Sequence, residues 1–456
     1  MIKNQLIAAT LLSFAACASD SEKMMEDPAP IPTTFKLRIE NIAPWTVLKS
    51  GVQAARTDGT AGALAPGQAY EVTFTAGKGQ RVSFASMFGE TNDWFFAPGP
   101  DGIALHDAEG NPIAGDVTDQ VSLWNAGTEI DQEPGVGDSV GPNQSAPDAG
   151  APDPDGTVRE LGQTATLSDG SLFELPAIAS MIRVTLTPGA SRQFTLRIEN
   201  VSTQTTLVTS QGARDIHVSP PVWALHAAPA PLFTPGEPDR AQGLELVADS
   251  GRAPMLAASL HALTGWPTPI SPGVYVLHDG SEPLYSLGLV DREQGLERLV
   301  EDGNNGPLLD AMVGVAASGD LIDAGAFDIP VGRDTKGAAR PGDAFELTVS
   351  GLPGDRLSFA TMFGMSDDWF FATGSDGIAL FDAWDMPVSG DVSDSIAIYD
   401  AGTEVDQEPA IGPDTGPQQP APNTGAIDPV RQVREVAPAA YGVPASAHLR
   451  VTLTPQ

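Results

Sequence analysis

One cysteine, Cys17, stands in 456 residues. No internal disulfide can form, so the fold must be held by its core or by a metal. Positive charge is scarce: 24 Lys and Arg face 59 Asp and Glu, a net charge of −35. A surface this acidic repels phosphate backbones and anionic headgroups, which excludes nucleic-acid binding and suits cations. Most of these carboxylates serve only to solvate the surface. The apolar stretch LIAATLLSFAA near the start is too short to span a bilayer as a stable anchor. His-Glu-x-x-His, a phosphate-cradling glycine loop and a catalytic cysteine are all missing, so the chain reads as a non-enzyme. Its many carboxylates leave a carbohydrate-active enzyme as one alternative, and a purely structural envelope protein as another.

Glycine (48) and proline (40) are plentiful, which favours turns over long helices. FKLRIEN, YEVTFTA, FTLRIEN, FELTVSG and HLRVTLT alternate apolar and polar residues with a period of two. That is the pattern of half-buried strands in antiparallel sheets. The expected fold is all-β, with two tandem antiparallel β-sandwiches and short helices in an insert of the second.

Residues 1–16 read as a secretion signal, with Lys3 ahead of the apolar stretch. Phe14-Ala15-Ala16-Cys17 resembles the bacterial lipobox, in which the cysteine is acylated and becomes the mature N-terminus; Phe14 stands where Leu or Val is usual. Multiple acyl chains anchor stably where one is marginal. Ala18 follows the cysteine, with no Asp to signal retention in the inner membrane, so the expected location is the outer membrane or cell surface. Residues 17–34 are acidic, contain proline and read as a tether.

The segment Arg81 to Pro134 returns without a gap as Arg356 to Pro409, with about 33 of the 54 positions identical, which means two copies of one domain rather than a short solenoid repeat. Matching first and last strands set the first domain at 35–190, in abbreviated form, and the second at 191–456. The second carries an insert at about 216–313 that is itself duplicated. Ser219-Pro220-Pro221-Val222-Trp223-Ala224-Leu225-His226 reappears as Ser271-Pro272-Gly273-Val274-Tyr275-Val276-Leu277-His278. QGLELVADSGRAPMLAASL and QGLERLVEDGNNGPLLDAM then show helical spacing. One insert copy can complete the first domain across the boundary. After each DQEP, Gly135 to Gly156 and Ala410 to Asp428 are rich in Gly, Pro, Asp and Asn, and read as long loops at one end of a sandwich.

The opening FTLRIEN, the Pro-Pro-Val…His segment with its Gly-Leu-Glu helix, the NDWFF and DDWFF cores and the Asp-Ala-Gly-Thr-Glu segment resemble, in this order, the spondin N-terminal domain of F-spondin and mindin. The resemblance implies a C2-related antiparallel sandwich that binds one calcium ion among its edge loops. It also implies an extracellular adhesion or matrix-binding role, with a matrix protein, a polysaccharide or an envelope protein as partner and the membrane reached only through the lipid anchor. By the same resemblance the ligands are Asp368, Asp400 and Glu404 in the second domain, and Asp93, Asn125 and Glu129 in the first. Glu404 stands where the family more often has Asp. Calcium takes six to eight oxygens, so converging carboxylates suit it. Asn125 supplies an oxygen without charge, so the second site should be the tighter.

Asp406 and Glu408, with Asp131 and Glu133, recur just beyond and form an outer acidic shell or add a ligand. Position 92 is Asn and position 367 is Asp, so that place carries no assignment. Trp94-Phe95-Phe96 and Trp369-Phe370-Phe371 read as core packing that fixes the neighbouring aspartate, with a stacking surface as the alternative. His226 and His278 read as satisfied structural histidines, since no third ligand accompanies them.

Overall fold

A computed structural model describes residues 31–141, 143–280, 282–437 and 444–456. The signal segment, Cys17 and most of the tether lie outside the described residues. The chain builds two β-sandwiches of the same design. In the second, a four-stranded sheet in the order Ala344–Gly351, Thr33–Asn41, Leu449–Pro455, Gly390–Asp391 faces a seven-stranded sheet. That larger sheet runs Asp323–Phe327, Gly273–His278, Arg356–Met362, Trp369–Thr373, Ile396–Asp400 and Arg434–Glu435, with Ile378–Ala379 beside Arg356–Met362. The first sandwich repeats this order with Ala69–Thr75, Gln193–Asn200, Ile182–Pro188 and Gly115–Asp116 in its small sheet. All pairings between named strands are antiparallel among the described residues.

The two sandwiches are not consecutive along the chain. The N-terminal strand Thr33–Asn41, expected to open the first domain, lies between Ala344–Gly351 and Leu449–Pro455 of the second unit. Its inward Phe35, Leu37 and Ile39 are fully buried in that unit's core. The strand Gln193–Asn200, expected to open the second domain, pairs instead with Ile182–Pro188 of the first unit. The boundary therefore does not fall near residue 190. FKLRIEN and FTLRIEN differ at one position in seven, so either fits either sheet. A tight turn closed by Gly189 N–H on Gln193 O (2.7 Å) delivers the second of them straight onto Ile182–Pro188. The short loop costs little closure entropy and wins that slot. The N-terminal strand then fills the other.

The duplicated insert divides the same way. Val222–His226 sits between Val47–Val52 and Arg81–Met87 of the first unit. The helices Leu244–Ser250 and Pro254–Ala262 cover the outer face of that sheet, with Leu244, Val247, Leu256 and Leu260 buried against Phe95 and Trp124. The first unit is thus complete, supplied with its helices from beyond the expected boundary. The second copy gives Gly273–His278 and the helices Leu296–Asp302 and Gly306–Ser318 to the second unit. In effect the first unit is a circularly permuted copy set into the second between its first strand and its insert.

The chain crosses between units at residues 42–46 and again at 263–270. The crossings run side by side, with Gly265 N–H donating to Val47 O (2.9 Å). A Cβ on Gly265 would lie 2.5 Å from the Trp45 ring, so only glycine allows this approach. A third contact comes from the loop after Glu404. Ala410 and Ile411 enter the first unit's core, Glu408 pairs with Lys49 (2.6 Å), and Arg192 donates to Ile411 O (2.6 Å) and to Gln418 Oε1 (2.8 Å).

His448, fully buried at this junction, packs its ring 4.6 Å from Trp45 and 5.2 Å from Phe363, and neither ring nitrogen has a hydrogen-bond partner. Burial pushes its pKa down to about 3. The equivalent place in the first unit holds Met181. Replacing His448 by Met should therefore stabilise the protein by ~1–3 kcal/mol in urea unfolding at neutral pH. Because the folded pKa lies below the unfolded one, the imidazole's contribution is lost as pH falls from about 6.5 toward 3, and the variant should lose less stability across that range. A variant no more stable than wild type would contradict the unpaired burial. For the strand exchange, Leu37→Ala should cost ~2–5 kcal/mol. It should speed hydrogen exchange in Ala344–Gly351 and Leu449–Pro455; faster exchange in Ile182–Pro188 instead would contradict the pairing.

Candidate metal centre

Each unit draws its carboxylates to the end of the large sheet where two central strands meet. In the second unit a tight loop joins Arg356–Met362 to Trp369–Thr373. Ser366 closes it, its hydroxyl donating to Phe363 O (2.8 Å) and accepting from Trp369 N–H (2.9 Å). Thr91 does the same in the first unit. This turn places Asp368, or Asp93, just ahead of the tryptophan. Trp369 and Trp94 are core residues whose indole N–H donates to Asp406 Oδ1 (2.6 Å) and Asp131 Oδ1 (2.5 Å). They anchor the acidic loop and offer no stacking surface.

Asp368 and Asp93 are fully buried. In each, Oδ2 accepts two backbone N–H groups from the Gly-Thr-Glu turn: Thr403 (2.7 Å) and Glu404 (3.1 Å), or Thr128 (3.0 Å) and Glu129 (3.1 Å). Oδ1 has no partner in either unit. Glu404 and Glu129 return from that turn, with Oε1 accepting Gly425 N–H (2.7 Å) or Gly150 N–H (2.6 Å). Their buried Oε2 is again without a partner. A Cβ at Gly425 or Gly150 would stand 2.5 Å from that Oε2, so these glycines shape the cradle.

A third carboxylate comes from the helix of the insert. Glu301 of Leu296–Asp302 accepts Thr403 Oγ1–H (2.9 Å) through Oε1, and the same hydroxyl lies 3.0 Å from Asp368 Oδ2. Its counterpart is Asp249 of Leu244–Ser250, whose Oδ2 accepts Asp148 N–H (3.2 Å). Glu301 Oε2 and Asp249 Oδ1 are buried and unpartnered. Gln419 and Gln144 each donate to the backbone carbonyl of that helical acid (2.6 and 3.1 Å), leaving a buried Oε1 without a partner. Four equivalent positions in two diverged copies thus present the same unsatisfied oxygens. Buried acceptors are almost always paired, and each exception costs ~1–3 kcal/mol.

The electrostatics agree. Burial pushes Asp93 up to about 8, with the charge of Asp131 adding to it. Glu301 rises to about 8 and Asp249 to about 7, burial again first, with neighbouring carboxylates adding to it. Glu129 and Glu404 are raised for the same reason. In the second unit Asp367, also buried, is pushed up to about 8 by burial and by Asp368. Asp367, Asp368 and the more exposed Asp406 each bring one oxygen within 4.8 Å of the others, a group that could hold a metal ion.

Asp400 is placed differently from Asp368 and Glu404. Its Oδ1 accepts Gly402 N–H (2.5 Å), and its Oδ2 is ion-paired with Arg434, which also reaches Asp428 (2.6 Å) and Asp406 (3.5 Å). Asn125 likewise turns to Gly127 N–H (2.5 Å) and Asp131 (2.7 Å), with Arg159 beside Asp153 (2.6 Å). An internal guanidinium thus pairs with carboxylates on that side of each cluster. Of each three-residue set suggested by the resemblance, Asp368 with Glu404 and Asp93 with Glu129 keep an unpartnered oxygen each. Asp400 lies beside them, pushed up to about 8 by burial and by the charge of Asp368, but both of its oxygens are already taken. His226 and His278 are buried and fully bonded, to Ser83 (2.9 Å) and Ala228 O (2.6 Å), and to Ser358 (2.9 Å) and Gly280 O (2.8 Å).

The helical acids and the glutamines were missed by sequence reasoning, though a signal existed. Asp249 and Glu301 are acids at one register of an otherwise apolar helix face. The gap-free repeat runs on past Pro134 into GPNQSAPDAG and GPQQPAPNTG, which keep Gln144 and Gln419. No protein-family model matches the chain, and no curated protein is recognisably similar to it in sequence.

Asp368→Asn removes an uncompensated buried charge. In chelator it should leave the protein as stable as wild type or up to ~3 kcal/mol more stable, and it should abolish any gain from added metal at that unit. A variant that is less stable in chelator yet keeps the metal response would contradict this reading.

Proposed function

We propose that this chain is a calcium-binding, non-enzymatic adhesion or binding protein of the cell envelope, with one ion held in each sandwich. The observation that carries the reading is the repeated set of unpartnered buried oxygens at Asp93, Glu129, Asp249 and Gln144, and at Asp368, Glu404, Glu301 and Gln419. The set is all oxygen, and three of its four members are carboxylates. Zinc and copper prefer nitrogen and sulfur, and magnesium keeps most of its water, whereas calcium takes six to eight oxygen ligands. Bound calcium would compensate the buried charge and stiffen the loops 128–150 and 403–425 into a fixed surface. That surface would meet a matrix protein, a polysaccharide or another envelope protein, with the N-terminal lipid holding the chain at the membrane. Asn92 and Asn125 replace Asp367 and Asp400 in the first unit, so its site carries less charge and should be weaker.

Calorimetric titration of the full chain with calcium should give two ions per molecule, with the second unit the tighter. Asp93→Asn and Asp368→Asn should each remove one. Asp93 and Glu301 sit at about 8, so binding at pH 7 should release protons, and the measured heat should change with the ionisation enthalpy of the buffer. The absence of saturable heat, with melting temperatures equal in calcium and in chelator, would remove the proposal.

A further inference from the structure

Among the described residues the most exposed large apolar side chains are Ile31, at 90%, and Trp384, at 81%. Trp384 stands at the tip of a hairpin whose base is the bridge between Phe381 and Pro387. The tip is fixed rather than loose. Asp382 Oδ1 accepts the N–H groups of Trp384 (2.8 Å) and Met386 (3.0 Å), and Asp382 N–H closes the turn on Met386 O (2.9 Å). Asp385 holds a left-handed φ of 59° at the place where the first unit has Gly110 at 82°. The first unit builds the same turn on Asp107, with Glu109 and Asn111 where the second has Trp384 and Met386. The turn therefore needs neither apolar side chain. Met386 is also strongly exposed. A preordered aromatic tip loses little entropy on docking.

What this tip meets is indicated by where the chain enters the fold. Phe381, at the base of the hairpin, packs edge-on against Phe35 with ring centroids 5.3 Å apart. Phe35 is the third residue of the N-terminal strand. The segment that bears Cys17 thus arrives beside the hairpin, and the stretch from Cys17 to Thr33 can reach at most ~55 Å. The metal cluster lies at the other end of the sheet. Ile378–Ala379, leading to the hairpin, pairs with the Arg356 end of the strand Arg356–Met362, whose far end leads to Asp368, ~20 Å away.

We propose that this pole of the second unit is a membrane-contact face. Trp384 and Met386, with Ile31, seat in the interfacial layer of a bilayer with uncharged, zwitterionic headgroups, and the metal end points outward. Tryptophan favours that layer, and apolar side chains seated there add their own binding to that of the lipid anchor. Asp382 and Asp385 at the tip, on a chain of net charge −35, exclude an anionic surface. The inference rests on acylation at Cys17 and is independent of calcium.

The test uses the mature lipidated chain in phosphatidylcholine vesicles brominated near the headgroup. Most of the other tryptophans, Trp45, Trp94, Trp124 and Trp369, are buried, and Trp223 and Trp266 are half-buried. Wild-type emission should lose a fraction to bromine quenching and gain protection from acrylamide. Trp384→Glu, which installs the residue the first unit carries there, should show neither change while keeping its melting temperature and calcium response. Unquenched emission in the anchored wild type, or equal quenching in the variant, would overturn the proposal. So would a Trp384 that stays open to acrylamide on the vesicle, the result expected of a tip facing a soluble protein or glycan. An unmodified Cys17 in the mature chain would overturn it as well, with the calcium reading untouched.

Discussion

Buried carboxyl groups without a matching set of partners are the constraint on which the rest of this molecule turns. Each sandwich takes Asp93 or Asp368, Glu129 or Glu404, and Asp249 or Glu301 out of water, then gives each carboxylate only part of its hydrogen bonding. An apolar core would be cheaper, and a chain free to drift would replace such residues. Their survival at equivalent places in two copies that differ at many other positions points to a cation as the missing partner. On the other side of each cluster the chain supplies its own cation: Arg434 beside Asp400 and Asp428, Arg159 beside Asp153. The contrast separates a side paired from within from a side whose buried oxygens have no partner.

The architecture serves this arrangement. The helix acid belongs to the insert, so a unit lacking the insert would lack one wall of its cluster. Sending one insert copy to each unit, by passing the chain twice between them, gives both clusters the same complement. The loop that supplies Glu404 continues through Glu408 to Ala410 and Ile411, which are buried against the first unit. The second acidic cluster and the contact between units are therefore parts of one stretch of backbone, whereas in the first unit the matching Glu133 turns back to Ser210 of its own sandwich.

Much of this is legible in the residues. Period-two alternation in FTLRIEN or HLRVTLT reports a half-buried strand because side chains alternate across a sheet. The constant offset between copies picks out Asp93 with Asp368 and Glu129 with Glu404. Strand pairing is less legible, because FKLRIEN and FTLRIEN carry the same inward residues and only the turn at Gly189 decides between them. Nor does the spacing of Asp400 and Glu404 reveal that one faces Arg434 and the other Gly425, since those partners lie far along the chain. The helical acids Asp249 and Glu301 stand out as acids on an apolar face, but what they face is hidden until the sheet they cover is known.

The most direct measurement is a crystal structure of the full chain grown in calcium. The account predicts an ion in each unit, ~2.3–2.6 Å from the free carboxylate oxygens of Asp93 and Asp368 and from those of the neighbouring glutamates. Well-defined density that shows these oxygens bonded only to water or to protein groups would contradict it.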